Sequence, residues 1–83
     1  MSIQLFPDLN DTQVALLRVD LYTGHVMDKE INMATRDTQE VWTVFDSIED
    51  AIVEARVIVE NYDFIECTIF DTNKNLLRHI TPE

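Results

Sequence analysis

The stretch EVWTVFDSIEDAIVEARVIVENY, Glu40 to Tyr62, decides the fold. Val41-Trp42-Thr43-Val44-Phe45 is β-branched and aromatic, which suits a strand. Asp46-Ser47 ends that strand and opens a helix. Ser47 with Asp50 makes a short-acid version of the capping box, and Asp46 with Glu49 repeats the pattern one residue earlier. Glu49 and Asp50 also suit the positive end of the helix dipole. The helix is predicted to run to Asn61. At about 100° per residue, Ile48, Ala51, Ile52, Ala55, Ile58, Val59 and Tyr62 fall within one apolar stripe. The small Ala51 and Ala55 let such a helix lie close to a sheet.

Strands are predicted on both sides of this unit. In Phe64–Phe70, Ile65, Cys67 and Ile69 share one face, and Glu66 and Thr68 the other. Asp71-Thr72-Asn73-Lys74 reads as a tight turn, and Asn75–Ile80 as the returning strand. Upstream, Val14–Tyr22 alternates, with Ala15, Leu17, Val19 and Leu21 facing one way and Arg18 and Asp20 the other. Thr23-Gly24-His25 carries the chain's only glycine, which fits a turn with positive φ. A weaker strand is expected over Val26–Met33, then a loop over Ala34–Gln39. Residues 1–12 form an N-terminal arm carrying Ile3, Leu5, Phe6 and Leu9.

The predicted order is β-β-β-α-β-β in one domain, residues 1–83. The class is two-layer α+β: a mixed, mostly antiparallel sheet of about five strands with one helix on one face. The helix-bearing connection is long enough for a crossover between parallel strands. A helix about 10 Å wide covers two to three strands spaced about 4.8 Å apart. The rest of the sheet needs another cover: the arm, a second copy of the chain or a different partner. Two-fold homodimers are the commonest oligomers, so a homodimer is expected.

The charge is unevenly placed. Between Asp37 and Asp71 ten acids stand against one base, Arg56, which makes −9 of the chain's net −10. This disfavours nucleic acid, anionic membrane and polyphosphate ligands and favours a basic protein surface or solvent. An apolar content of 46% argues for a folded domain despite the charge. The opening Met-Ser-Ile-Gln-Leu-Phe-Pro-Asp lacks the basic and apolar segments of a signal peptide, and no apolar run is long enough to span a membrane. With the single Cys67, this points to a reducing cytoplasm. Asn10-Asp11-Thr12 matches a glycosylation pattern by chance in that compartment.

Candidate sites are few. On the outer helix face Val53 and Val57 lie one turn apart among Glu49, Asp50, Glu54, Glu60 and Asn61. An apolar anchor in an acidic rim is the anatomy of a recognition patch. Scattered surface valines are the plainer reading. Asp50 and Glu54 repel mildly at i, i+4, while Arg56 and Glu60 are spaced to pair.

Asp71-Thr72-Asn73-Lys74-Asn75 opens like a calcium loop, but Leu76 stands where Gly is needed and Pro82 where Glu is needed, so a hairpin turn is kept. Cys67 and His79 face each other if Thr72, Asn73 and Lys74 form the loop. A one-residue slip puts Cys67 opposite Ile80. A buried inert cysteine is the plainer reading, because no oxyanion donor or orienting residue accompanies the pair. His25 and His79 lack spaced metal partners. Trp42 reads as core. No cofactor, metal or catalytic set is assigned.

The expected function is therefore a small, acidic, non-enzymatic interaction or regulatory module of inhibitor or immunity type. It would bind a basic partner through Glu49, Asp50, Val53, Glu54, Val57 and Glu60. One alternative is an enzyme or small-ligand binder with a site in a dimer cleft. The other is a nucleic-acid mimic, which needs acids spread along an elongated surface rather than gathered on one helix.

Overall fold

The computed structural model describes residues 3–82; the first two residues of the predicted arm lie outside this range. The elements are β1 (Val14–Asp20), β2 (Val26–Met27), β3 (Trp42–Phe45), α1 (Ile48–Asn61), β4 (Ile65–Phe70) and β5 (Leu76–Ile80). The class is α+β, with five strands in one sheet and one helix on one face.

Strand β1 is the centre. One of its edges pairs with β4, which pairs in turn with β5. Its other edge is shared: Val19 and Arg18 pair with β2, and Leu17 to Val14 pair with β3. Strands β2 and β3 thus lie end to end along β1, joined by a long excursion. Every pairing is antiparallel. Strands β3 and β4 do run in the same direction, as the helical crossover predicts, but β1 lies between them. The expected parallel pairing is replaced by a β-α-β unit split by a central antiparallel strand.

Helix α1 matches its predicted bounds. Ser47 is its N-cap, and its hydroxyl accepts from Asp50 N at 3.2 Å. Asp46 instead accepts from the Gln13 amide, Nε2 to Oδ1, at 3.2 Å. Ala51, Ala55, Ile58 and Val59 are buried, and Ile48 and Ile52 pack against the same core. Tyr62, predicted to close the stripe, is the C-cap and leaves helical geometry at φ −134°. It is exposed and stacks edge-on against Phe64, 6.1 Å between centroids.

The core under α1 contains Val14 and Leu16 of β1 with Ile65, Cys67 and Ile69 of β4. The register sets Leu16 opposite Ile69 and Arg18 opposite Cys67, so the face of β1 that carries Arg18 is the one the helix covers.

The opposite face is partly covered by the arm. Gln4 Oε1 accepts from Val41 N and Trp42 N at 2.9 and 3.1 Å, and Trp42 Nε1 donates to Gln4 O. Phe6 meets the Trp42 ring edge-on at 4.9 Å, and Trp42 meets Phe70 at 5.8 Å. Thr72 Oγ1 donates to Leu9 O. The arm therefore supplies part of the cover for which a second chain is expected, and Trp42 is a packing residue.

The weak strand predicted over Val26–Met33 stops at Met27. Asp28 ends it, because its Oδ1 takes the N–H groups of Glu30 and Asn32, at 2.8 and 3.0 Å, and a turn replaces the ladder. Ile31 takes φ +62°, a conformation costly for a β-branched residue. The Asp28 Oδ2 contact with Gln39 Nε2, 2.8 Å, and the Asp28 N–H bond to Asn32 O brace that turn.

Candidate functional site

Helix α1 presents the acidic face. Its inner stripe is fixed by the core, so the opposite side turns to solvent. Val53 is 65% exposed and Val57 46%, and Glu49, Asp50, Glu54 and Glu60 are exposed as well. By helical spacing Val53, Val57, Glu49, Asp50 and Glu60 share the outer side, while Glu54 sits on one flank. The structure thus brings the six sequence-predicted residues onto one contiguous surface. Arg56 and Glu60, spaced to pair, form no ion pair. Among the described residues the ion pairs are Lys29–Glu40 at 2.7 Å and His79–Glu66 at 3.4 Å, neither on the helix.

Arg18 is the polar residue whose place the sequence conceals. It is 4% exposed, on the sheet face that α1 covers and within electrostatic reach of Glu54. Its Nη1 donates to Val41 O at 3.3 Å and its Nη2 to Thr43 Oγ1. Burial pulls its pKa down, and the nearby Cys67 sulfur and the Glu54 and Asp28 carboxylates act in the opposite direction. The guanidinium has neutral hydrogen-bond partners and carboxylates only at longer range. The signal in the sequence was the lone base in β1, flanked by Leu17 and Val19. Alternation alone does not say which face is inside.

Cys67 and His79 are kept apart. At the turn the chain follows the first predicted register, with Phe70 opposite Leu76. Leu77 then forms a bulge, which sets Cys67 opposite Ile80 and Thr68 opposite His79. Cys67 faces the helix and is fully buried, while His79 lies on the other face beside Glu66. Burial pushes the Cys67 thiol up to about 11, with Arg18 pulling the other way. It is a packed, protonated thiol with no imidazole beside it.

The Asp71 turn is likewise structural. Asp71 Oδ1 accepts from Asn73 N and Asn75 N at 2.8 and 2.9 Å, and Lys74 takes φ +64°. The carboxylate faces its own backbone, which holds its pKa below the usual carboxylate range. Asp20 does the same in the first turn, accepting from Tyr22 N and Thr23 N, while Gly24 takes φ +77°. Among the described residues no three His, Cys, Asp or Glu side chains converge as a metal site would require, and no helix is long and apolar enough to cross a membrane.

One surface feature goes beyond the sequence prediction. A groove of about 300 Å³ runs between the last turns of α1 and the end of β5, bordered by Glu60 and Asp63. It depends on how β5 lies beside the helix, which the bulge at Leu77 sets. No protein-family model matches this chain, and neither curated proteins nor solved structures include a significant relative.

Proposed function

We infer that the protein is a small, acidic, non-enzymatic interaction module that docks on a basic protein surface through the outer face of α1. The observation that carries this reading is the pairing of two exposed valines, Val53 and Val57, with four carboxylates that have no ion-pair partner among the described residues. Burying the valines against a partner supplies affinity, while the carboxylates speed encounter and reject acidic surfaces. The inner face already accounts for the fold of the helix, so the outer valines are free for another task. A reducing cytoplasm suits the lone, unpaired Cys67.

The test is capture on the immobilised chain, compared with the triple variant Glu49→Lys, Asp50→Lys, Glu54→Lys. A basic protein held by the wild type at low salt, lost on the variant and released by about 0.5 M salt supports the reading, since screening then acts within a few ångströms. Retention that ignores both salt and charge reversal contradicts it.

A second copy of the chain is the partner we propose for the sheet face away from α1. Val44 and Leu76, 42% and 57% exposed, end the row that also holds Ala15 and Phe70. A monomer mass by light scattering at tens of micromolar ends that proposal.

A further inference from the structure

We propose that the groove between the C-terminal end of α1 and the end of β5 receives a cationic side chain, arginine or lysine, of the basic partner. This rests on the docking reading above and locates one of its contacts. The groove, about 300 Å³, is lined by apolar Val59, Ile80 and Pro82 and by charged Arg56, Glu60 and Asp63. Val59 and Ile80 are each 9% exposed, so the lining is set into the fold, while Glu60 and Asp63 stand in solvent.

The electrostatics of this end are uncompensated. A helix C-terminus carries about half a negative charge and is normally matched by a base in its last turn. Helix α1 has none there. It has Glu60 in that turn and Asp63 just beyond. Tyr62 N returns to Ile58 O and Asn61 Nδ2 to Val57 O, so two carbonyls are satisfied locally. Neither Glu60 nor Asp63 has an ion-pair partner among the described residues, and Arg56 is one base against two acids and the dipole.

A groove with apolar Val59, Ile80 and Pro82 on its lining and two carboxylates against one base fits the long stem and charged head of arginine or lysine. Arginine fits better, because its planar fork engages carboxylates in two directions. Glu60 belongs both to the groove and to the rim around Val57. A partner anchored on the valines therefore reaches the groove without leaving the helix.

The experiment is an amide NMR titration of the full chain with N-acetyl-argininamide, using the neutral citrulline analogue as control. The expected result is a saturable shift confined to Val59–Asp63 and Ile80–Thr81, several-fold weaker with citrulline. The Glu60→Gln, Asp63→Asn variant should weaken it several-fold. Asp11→Asn, Asp37→Asn, which removes two exposed acids outside both the groove and the docking face, should leave it unchanged. Both variants remove like-charge repulsion or exposed charge, and their own spectra report whether they fold.

Shifts spread along the whole helix, equal binding of citrulline or indifference to Glu60→Gln, Asp63→Asn each overturn the groove. If the groove fails while partner capture still depends on Glu49, Asp50 and Glu54, only this inference falls. If arginine binds as described but capture ignores charge reversal, the docking reading falls and the groove stands as a cation site.

Discussion

On its inner face α1 sets Ala51 and Ala55, both fully buried, against the sheet, with Ile58 and Val59 behind them. On its outer face it sets Val53 and Val57, 65% and 46% exposed, among carboxylates. The same helix holds apolar residues on both sides, but only the inner ones touch the core. Small residues recur where the backbone must approach the sheet, and branched residues fill the remaining volume. Outside, no packing demand selects valine over a polar residue. The difference separates what the fold requires from what it merely allows.

The largest expected effect is on the inner side. Leu16, fully buried in β1 beneath the helix, should cost about 2–5 kcal/mol when changed to Ala, read as a lower urea midpoint with an unchanged slope. A smaller cost would mean that α1 and the sheet collapse onto the cavity. Ala55→Leu comes next. Ala55 is fully buried against the sheet, so the larger side chain should push the helix outward and cost about 1–3 kcal/mol. No cost would show that the helix does not lie close.

Ser47→Ala removes the acceptor for Asp50 N and should cost about 1 kcal/mol. The turns contribute a pH-dependent term. The N–H groups of Thr23 and Tyr22 hold the Asp20 carboxyl low, and those of Asn75 and Asn73 hold Asp71 low. Both folded values lie below the unfolded one, so the charged forms favour the fold. Their stabilisation is complete above about pH 4 and fades as pH falls through the lower folded values. Asp20→Asn with Asp71→Asn should flatten the acid limb of the stability profile. An unchanged limb would place its cause elsewhere.

Much of the inner side was legible because its signals are local. The seven-residue stripe and the Ser47 cap lie within one helix's length, and both are present apart from Tyr62, which caps the end. The acidic surface was legible for the same reason. Arg18 was not, because its burial depends on which face of β1 the helix chooses, and that follows from pairing with Ile69 and Cys67 far along the chain. Strand β2 is shorter than its sequence pattern predicts because the Asp28 carboxylate competes with the ladder for backbone N–H groups. Sequence spacing allows two registers at Cys67, and the bulge at Leu77 uses both in turn. The groove at the end of α1 needed β5 in place before it existed.

The most direct measurement follows Val53→Ser with Val57→Ser, taking the unfolding midpoint and partner capture on the same protein. Both residues are exposed, so stability should stay within about 0.5 kcal/mol of wild type. Capture of the basic partner should be lost. Intact capture, or a loss of stability comparable to that of Leu16→Ala, would contradict the claim that this face serves a partner rather than the fold.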